Sequence, residues 1–375
     1  MRIGIDARPL SKRRTGVGNY IEGLVELLPR IAPQHDYFLY SNRELDRQFS
    51  VGVSERIDRP FRRCPGALWL VTRGGSLAKR DRIDVFWATC PILPPRLPAG
   101  VAKVVTVHDL VWVRFPETTS FYSLLVQKTW TRKAIAEANL IIVNSRSTQQ
   151  ELVCSLGVPI GKTRLIYPGI SEMYHPRDRL KAAQYISSKY GAPPRYMAFV
   201  GTVEPRKNLR LLVEALRILR NTKCGDCPLL IAGARGWKNS HLFAEIQSAG
   251  LGNEEIRFLG YLPEGDLPYF YAGAQVFLFP TLYEGFGLPP LEAMACGTPV
   301  IASDAPCMPE VLGDAAILVP PTEAERFAEA VLKVLGDEDL CEAMRAAGIV
   351  QAEKFRREPS ARLLLDALGK FLSAD

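Results

Sequence analysis

Short apolar runs alternate with amphipathic segments along nearly all of the 375-residue chain, and this alternation constrains its fold more than any other feature. Between the apolar runs of the first half lie helical patterns, of which 19–31, 120–138 and 147–157 are the clearest. Strands that alternate with helices predict a parallel sheet covered by helices on both faces. The strand candidates of this half are RIGIDA (2–7), YFLYS (37–41), VFWA (85–88), KVVTVHD (103–109), LIIVNS (140–145) and RLIY (164–167).

A segment rich in proline, glycine and charge, YPGISEMYHPRDRL (167–180), interrupts the alternation and is typical of a linker. The alternation then restarts, and beyond Thr322 the chain is mostly helical. The strand candidates here are RYMAFVG (195–201), PLLIAG (228–233), EIRFLGY (255–261), AQVFLFP (274–280), PVIAS (299–303) and AAILV (315–319). Because one hydrophobic core rarely serves a chain this long, we predict two α/β domains, 1–175 and 176–356. Each is Rossmann-like and doubly wound, and the two face each other across a cleft.

Composition narrows the class of protein without indicating a function. With 47% apolar and 23% charged residues, the chain is typical of soluble globular proteins. No apolar stretch reaches the roughly 18 residues that a membrane span needs. The first strand begins without a signal peptide, so we expect a cytoplasmic location. Cys224 and Cys227, the one close pair among eight cysteines, lack the second pair that a zinc site would use.

Positive charge is concentrated in the first half of the chain. Residues 1–185 hold 28 Lys and Arg against 16 Asp and Glu, a net charge of +12. The remaining residues hold 19 against 24, a net charge of −5. A basic half indicates a polyanionic partner, which could be nucleic acid, a phosphorylated acceptor or an anionic membrane. A merely solubilising surface explains the same charge.

Two segments look like nucleotide-binding motifs but do not have the spacing or position that those motifs require. GVPIGKT (157–163) is one residue short of a Walker A loop and precedes a strand instead of following one. TGVGNY (15–20) has Ile21 where a dinucleotide fingerprint needs its third glycine. Gly16 and Gly18 nevertheless allow an anionic ligand to approach backbone amides at a helix start, although a flexible loop is an equal alternative. The cations just before this loop are Lys12, Arg13 and Arg14.

Two loops that leave strands carry groups suited to binding. His108 ends an apolar strand, where it is either a hydrogen-bonded structural residue or a site residue at the sheet's carboxyl edge. In GTVEPRKNL (201–209), Arg206 and Lys207 stand just before a helix predicted to start near Asn208. Cations at a helix start oppose the helix dipole, so a bound diphosphate would explain them better than solvent does.

The segment YEGFGLPPLEAMACGTPVIAS (283–303) places Glu284 and Glu292 eight positions apart, after a buried strand. Its glycines allow close backbone approach, and Pro289 and Pro290 suit the first turn of a helix. Each glutamate has a structural explanation, in helix-dipole complementarity or in bonds to nearby amides. Two carboxylates beside a diphosphate site also suit the vicinal hydroxyls of a sugar nucleotide.

Together these segments resemble the retaining glycosyltransferases of the GT-B fold, in particular the group 1 family that contains bacterial mannosyltransferases of cell-surface polysaccharide assembly. The resemblance is dense over 196–320. It is looser in the N-terminal half, where GIDARPL, TGVGNY, VHD and VNS fit. It also implies that a C-terminal helix, about 357–375, packs back on the first domain.

The resemblance implies roles for single residues. Arg206 and Lys207 match the pair that holds the donor diphosphate. Glu284 matches the first glutamate of the E-x7-E motif, which contacts hydroxyls of the donor sugar. Glu292 matches the second, which holds the ribose. These assignments imply a nucleotide-sugar donor and a hexosyl transfer.

Further matches lie in the loops. The segment whose amides contact sugar and phosphate corresponds to Gly285, Phe286, Gly287 and Leu288. His108 matches a cleft histidine near the donor sugar, and Gly16 and Gly18 match a loop that covers the phosphates. Many relatives carry arginine directly after the glycine that opens the second domain. Here that position is Thr202, so one expected phosphate cation is absent.

The implied chemistry needs no cofactor. Cleavage of the anomeric C–O bond leaves negative charge on a nucleoside diphosphate, where Arg206, Lys207 and helix N-termini can stabilise it. No DxD-type metal motif is evident, so we expect a metal-independent enzyme. In retaining GT-B enzymes the leaving phosphate is thought to take the acceptor's proton, and domain closure excludes water.

The family's acceptor side is the N-terminal domain. Its segment 61–82 mixes cations with Leu68, Trp69, Leu70 and Val71. Such a segment could rest on the anionic inner face of the cell membrane and meet a polyprenyl-diphosphate-linked acceptor. The alternative is a buried helix with a charged outer face.

Mannose from GDP-mannose is the favoured donor, and UDP- or dTDP-sugars carrying glucose, rhamnose or N-acetylhexosamine are alternatives. ARGW (234–237) and GYLP (260–263) are expected to touch the base. A sugar-nucleotide 2-epimerase shares this architecture but would need further acid–base groups. A non-catalytic sugar-nucleotide sensor or a nucleic-acid-binding protein is the remaining alternative. The intact Arg206, Lys207 and Glu284 favour catalysis, and we expect no nucleic-acid partner.

Overall fold

The computed structural model describes residues 1–11, 16–47, 49, 52–119, 121–220, 222, 226–236 and 240–371, and for 121–123 and 240 it describes the backbone alone. The residues of the sequence interpretation that lie outside the described ranges include Lys12, Arg13, Arg14, Thr15, Cys224 and Trp237, the first residue of the predicted helix 120–138, and the end of the predicted C-terminal helix, 372–375. The chain divides into two compact units. The first comprises Met1–Gly169 and Phe355–Asp375, and the second comprises Ile170–Lys354.

A parallel sheet forms the centre of the first unit. Its strands within the described residues are β1 (Arg2–Asp6), β2 (Asp36–Ser41), β3 (Val53–Ile57), β4 (Val85–Ala88), β5 (Ala102–Val107), β6 (Leu140–Val143) and β7 (Thr163–Leu165). They pair in the order β3-β2-β1-β4-β5-β6-β7. Six of these strands were predicted, and β3 was missed. Its sequence, VSERI, is polar because it lies at the sheet edge and is half exposed.

Helices cover both faces of this sheet. They are α1 (Gly16–Ile31), α2 (Gly66–Arg80), α3 (Val111–Arg114), α4 (Phe121–Val126), α5 (Arg132–Glu137) and α6 (Arg146–Leu156). A π-helical turn, Gln127–Thr131, joins α4 to α5. Successive residues of β4 point to opposite faces, so Trp87 packs in one core with Ile21 of α1, and Phe86 packs in the other with Trp69 of α2.

The helix α2 corrects the membrane interpretation of segment 61–82. Trp69 and Leu70 are fully buried in the core of the first unit, so neither side chain is available to a lipid surface. Leu68 is 45% exposed, and Val71 is partly buried. For Trp69 and Leu70, the structure therefore agrees with the alternative interpretation, in which the segment is a buried helix with a charged outer face. No helix in the described part of the chain is long and apolar enough to cross a membrane.

A second parallel sheet forms the centre of the other unit. Its described strands are β8 (Met197–Val200), β9 (Leu229–Ala232), β10 (Ile256–Gly260), β11 (Val276–Phe279), β12 (Val300–Ser303) and β13 (Ile317–Val319). They pair in the order β10-β9-β8-β11-β12-β13. All six were predicted, because each is an apolar run bounded by glycine, proline or polar residues. The order makes β8 and β11 neighbours, so the loops that follow them leave the sheet side by side.

The helices of the second unit connect these strands. They are α7 (Arg179–Tyr190), α8 (Leu209–Leu219), α9 (Ser240–Ser248), α10 (Leu267–Gly273), α11 (Leu288–Ala295), α12 (Met308–Leu312), α13 (Ala324–Gly336) and α14 (Glu338–Glu353). The prediction of a linker to residue 180 was wrong at its end, because α7 begins at Arg179. Asp178 caps α7 by accepting a hydrogen bond of 3.0 Å from the Lys181 amide, and Gly191 ends it in a left-handed conformation.

The last helix, α15 (Arg357–Gly369), belongs to the first unit. It packs against α1, and Ala361, Leu364 and Leu368 enter the core that α1 shares with the sheet. Gly169, at the end of the first segment of this unit, lies against the backbone of Arg357, where a Cβ would come within 2.3 Å. The chain thus returns to its first unit after completing the second.

Gly233 is the glycine on which the loops after β8 and β9 depend. Its φ is +148°, and a Cβ there would lie 2.0 Å from the carbonyl oxygen of Gly201. Hydrogen bonds of Gly201 N to Ala232 O and of Gly233 N to Gly260 O fix both backbones, so neither can retreat. We expect Gly233→Ala to lower the free energy of unfolding by about 2–5 kcal/mol.

Thermal and urea unfolding of purified wild type and Gly233→Ala check this prediction. Gly265→Ala is the matched control in the same unit, because a Cβ at Gly265 would meet nothing within 4 Å. We expect the control to stay within about 0.5 kcal/mol of wild type. Equal stability of the two variants would contradict the importance of the contact between Gly201 and Gly233.

Candidate functional site

The turn after β8 presents the two predicted cations. A 3-10 turn, Pro205–Lys207, precedes α8, and Asn208 joins them in a left-handed conformation with φ of 53°. The Asn208 side chain supports this conformation by donating to the carbonyl oxygens of Pro280 (3.1 Å) and Pro321 (2.9 Å). Asparagine tolerates this region better than most residues, so the sequence RKN turns the chain sharply and leaves Arg206 and Lys207 at the carboxyl edge of the sheet.

The turn after β11 presents the first glutamate. Gly287 has a φ of 98° and precedes α11, and Pro289 and Pro290 lie in the first turn of that helix as predicted. A Cβ on Gly287 would lie 2.5 Å from the methyl carbon of Met308, so glycine is also required for space. Glu284 stands on the loop before this helix, with its side chain 11% exposed.

The two turns converge on one another, as the sequence interpretation required. The ammonium of Lys207 forms a short ion pair with Oε1 of Glu284. Arg206 Nη1 lies 2.9 Å from Oε2 of the same carboxylate. Thr281 Oγ1 donates to Glu284 Oε1 over 3.0 Å. Neighbouring strands carry the loops, and the backbone amide of Leu282 joins them by donating to the carbonyl oxygen of Arg206 over 2.9 Å.

These contacts fix the protonation state of Glu284. Burial by itself would raise the pKa of the carboxyl group, but the charges of Arg206 and Lys207 and the bonds from Lys207 and Thr281 outweigh it. The pKa of Glu284 is lowered from 4.5 to about 2. The carboxylate is therefore ionised throughout the neutral range. It can only accept hydrogen bonds, which suits it to bind hydroxyl groups.

Besides Thr281, sequence reasoning missed two further residues that hold this site. Glu204 is buried, and its Oε1 lies 2.8 Å from Arg206 Nη2. The sulfur of the buried Cys307 thiol lies 3.1 Å from the carbonyl oxygen of Glu284 and 3.3 Å from that of Phe286, so its one S–H proton is shared between two acceptors of the glycine-containing loop. Burial raises the pKa of Cys307 well above its ordinary value, so the thiol stays protonated as a donor. The position of Glu204 two residues before Arg206 was the signal that could have identified it.

The second glutamate is buried in the second unit. Glu292 lies just after the first turn of α11, it is 6% exposed, and its Oε2 accepts a 2.8 Å hydrogen bond from the Tyr271 hydroxyl. The ring of Tyr271 packs edge-on against Tyr174, 5.9 Å between centroids. Tyr271 of α10 thus binds this carboxylate, and Tyr174 packs against the ring of Tyr271.

The remaining predicted residues of the second unit line the same loops. Gly285 and Phe286 are buried, and Leu288 is half buried at the start of α11. Thr202 is half buried and lies beside Gly236, where a Cβ would be 2.9 Å from the threonine methyl group. Its loop pairs with the loop after β9 through Val203 and Arg235. Thr202 therefore packs closely against the loop after β9 and contributes no charge to the site.

The predicted residues of the first unit lie at the carboxyl edge of its sheet. His108 follows β5, and its Nε2 donates a 2.7 Å hydrogen bond to the carbonyl oxygen of Thr89, which can only accept. The ring also meets Tyr20 edge-on, with centroids 5.6 Å apart. Gly16 is exposed at the first residue of α1, and Gly18 is buried two residues later.

The first unit also contains an ion pair that sequence reasoning missed. Asp6, the last residue of β1, is fully buried and accepts two hydrogen bonds of 2.7 Å from the guanidinium of Arg8. The hydroxyl of Thr89 donates to the Asp6 carbonyl oxygen over 2.6 Å. Because Thr89 also holds His108, these contacts link the loops after β1, β4 and β5 at one edge of the sheet. The run GIDARPL thus supplies the anchor of this edge.

His108 is expected to be neutral at physiological pH. Burial lowers the pKa of His108 below its ordinary value of 6.5, and the bond to Thr89 and the charge of Asp109 oppose that shift only in part. Because the folded pKa is lowered, this group lowers the stability of the protein as pH falls from 6.5 through the folded pKa. Imidazole NMR should show a titration midpoint below 6.5 for the resonance that His108→Gln removes. A midpoint at or above 6.5 would contradict the buried, neutral imidazole.

The sequence matches two family models, one in each half. Residues 186–351 match the model described as glycosyl transferases group 1, and residues 14–172 match glycosyltransferase family 4. The chain is 34% identical to O-antigen chain mannosyltransferase B of Escherichia coli over 375 residues, covering 96% of this chain and 97% of that protein.

Solved structures agree with this assignment at the level of the fold. Anabaena HepE in complex with UDP and glucose superposes with a TM-score of 0.74 at 19% identity, covering 99% of this chain and 100% of that one. Sucrose-phosphate synthase from Thermosynechococcus elongatus superposes with a TM-score of 0.76 at 20% identity, with both chains fully covered. The two parallel-sheet units are those of the α/β GT-B fold. The chain belongs to the group 1 glycosyltransferases.

Proposed function

We propose that this protein is a retaining, metal-independent hexosyltransferase that moves mannose from GDP-mannose to a saccharide or a polyprenyl-diphosphate-linked saccharide in the synthesis of a cell-surface polysaccharide such as O-antigen. The observation that carries the proposal is the contact of Lys207 and Arg206 with Glu284, which joins cations suited to a diphosphate and a carboxylate suited to sugar hydroxyls. The E. coli relative, an O-antigen chain mannosyltransferase by name, supports mannose and this pathway class.

The proposed chemistry follows from the charges of the site. The sugar–phosphate bond breaks with positive charge developing on the anomeric carbon and negative charge on the departing diphosphate. Lys207, the amides at the start of α8 and the amides of Gly287 and Leu288 just before the prolines of α11 stabilise that anion where it forms. Glu284, ionised at neutral pH, accepts hydrogen bonds from the hexose hydroxyls and orients the ring. The departing phosphate oxygen takes the proton of the acceptor hydroxyl.

The other predicted residues keep supporting roles in this proposal. Glu292 holds the ribose, and the amides of 285–288 contact sugar and phosphate. The neutral imidazole of His108 offers an unprotonated Nδ1 to the donor sugar, because Nε2 already donates to Thr89. Gly16 and Gly18 give the phosphates close access to the first turn of α1.

A panel of nucleotide sugars, measured by thermal shift, tests the donor. GDP-mannose is expected to raise the unfolding midpoint, with UDP-glucose, UDP-N-acetylglucosamine and dTDP-rhamnose as comparators. The comparators matter because HepE was solved with UDP. A shift with UDP- or dTDP-sugars alone would move the proposal to that donor class, and no shift with any donor would overturn it. Transfer of labelled mannose to an oligosaccharide acceptor, instead of release of an epimerised donor, separates transferase from epimerase.

Membrane contact is the second part of the proposal. The net charge of +12 over residues 1–185 and the exposed Leu68 and Ile160 support contact of the first unit with an anionic surface. Flotation with vesicles that contain phosphatidylglycerol, compared with phosphatidylcholine alone, tests it. Binding to both or to neither would contradict a charge-driven contact.

A further inference from the structure

We propose that Glu204 and Arg206 form a clasp that positions the carboxylate of Glu284, and that Lys207 alone is the donor-facing cation of this turn. This division of roles rests on the proposed function and refines it, because the two cations were assigned the same task from sequence. Arg206 then acts through Glu284 without touching the diphosphate.

The guanidinium of Arg206 is directed at the protein's own carboxylates. Its Nε and Nη2 lie 3.2 and 2.8 Å from Oε1 of Glu204. Its Nη1 donates to the carbonyl oxygen of Tyr283 over 2.8 Å and lies 2.9 Å from Oε2 of Glu284. A guanidinium has five N–H donors in one plane, and these contacts use donors on all three of its nitrogens. These are four contacts for five donors, so a diphosphate would have to displace at least one of them in order to bind Arg206 through two N–H groups.

Charge balance makes such displacement costly. Glu204 and Glu284 are both largely buried, with side chains 6% and 11% exposed, and Arg206 and Lys207 are their counterions. Two carboxylates and two cations make the cluster neutral. If both cations turned to a donor diphosphate, two buried carboxylates would lose their partners, which is a strongly unfavourable change. A cluster that keeps Arg206 in place avoids this penalty.

The backbone of Arg206 is tied to the same loop as its side chain. Its carbonyl oxygen accepts a hydrogen bond of 2.9 Å from the amide of Leu282. The hydroxyl oxygen of Thr281 lies 3.2 Å from the same carbonyl oxygen, and its single proton goes to the shorter contact with Glu284. The backbone of residue 206 therefore contacts the loop before Glu284 at both Thr281 and Leu282. This arrangement fixes where Glu284 stands relative to the sheet.

Lys207 is built differently. Its ammonium has three donors, and it pairs with Oε1 of Glu284 while lying 5.3 Å from the ring centre of Phe279. A point charge of this kind can hold Glu284 and a phosphate oxygen together, since it imposes no planar geometry. Thr202, on the same loop, carries no charge, and Arg206 is held by Glu204 and Glu284, so a phosphate contact from a cation of this turn falls to Lys207.

Two variants that conserve the charge of the cluster test the clasp. Arg206→Lys keeps the positive charge but removes the planar guanidinium that binds both carboxylates. The double variant Glu204→Gln/Arg206→Met removes one charge of each sign. For both clasp variants and for Lys207→Ala, calorimetry measures the affinity for GDP and for guanosine, and steady-state kinetics measures kcat and KM for transfer. Arg210→Met is the matched control, because Arg210 is a largely exposed arginine of α8 paired with Glu245.

We expect both clasp variants to bind GDP within about threefold of wild type while kcat falls at least tenfold. Lys207→Ala should lose at least tenfold in GDP affinity. A loss of GDP affinity in the double variant as large as that of Lys207→Ala would overturn the clasp, and so would a kcat within threefold of wild type in both clasp variants. If the double variant does not fold, Arg206→Lys is judged alone: a loss of GDP affinity as large as that of Lys207→Ala, or a kcat within threefold of wild type, would overturn the clasp. A wild type that binds neither GDP nor UDP would overturn the proposed function itself, and the clasp with it.

Discussion

Glu284→Gln is expected to reduce transfer by at least about 100-fold, the scale seen when one electrostatic contact to a transition state is removed. Glutamine keeps the size of the side chain and one acceptor oxygen. It loses the charge that strengthens hydrogen bonds from sugar hydroxyls, and its amide places a donor where an acceptor stood. Steady-state turnover with saturating donor measures the effect.

The same variant should keep its affinity for the nucleoside diphosphate or gain some. Removing the Glu284 charge leaves the two cations Arg206 and Lys207 with one carboxylate, Glu204, so the cluster has a net charge of +1 that an anionic ligand neutralises. Calorimetry with GDP therefore separates a lost hydroxyl contact from a collapsed site. Glu329→Gln, on the exposed face of α13, is the control for removal of a carboxylate. Turnover of Glu284→Gln within threefold of wild type would refute the role of this carboxylate.

Acid titration provides an independent readout of the same contact. The folded pKa of Glu284, about 2, is lower than the ordinary 4.5, so its ion pairs stabilise the protein above pH 4.5. That contribution is lost as pH falls from 4.5 to 2. Wild type should therefore lose more stability over this window than Glu284→Gln does.

The fold was predictable because both sheets are made of buried strands, and buried strands are continuous apolar runs. VFWA and VFLF are apolar at every position, since helices cover both faces of each sheet. β3 escaped prediction because an edge strand does not need that composition. The start of α7 escaped because its proline-rich approach concealed the cap at Asp178, although the cap and Gly191 mark its two ends.

The sequence predicted the charged residues of the site better than it predicted the side chains that contact them. Arg206, Lys207 and Glu284 follow neighbouring strands, so the strand pattern alone brought them to one edge. Which groups pair with them depends on side-chain direction, which periodicity does not contain. Glu204 and Cys307 therefore became visible only through their contacts with Arg206 and with the loop at Glu284.

Lys207→Ala is expected to weaken binding of the nucleoside diphosphate by roughly 10- to 150-fold. A hydrogen bond to a charged group contributes about 1.5–3 kcal/mol, and each 1.4 kcal/mol is a factor of ten in affinity. The free nucleoside should bind within about twofold of wild type, because the ammonium faces phosphate and not the base. Calorimetry with GDP, GMP and guanosine measures this gradient.

The control is Lys333→Ala, which removes an exposed lysine of α13 in the same unit and changes the net charge equally. Long-range attraction of a dianion would weaken in both variants and would vanish at high salt. A direct contact affects Lys207→Ala alone and persists when salt is raised. Equal losses for GDP and guanosine in Lys207→Ala would instead mean that the turn after β8 had moved, and Lys207 would then be a structural residue whose charge serves only Glu284.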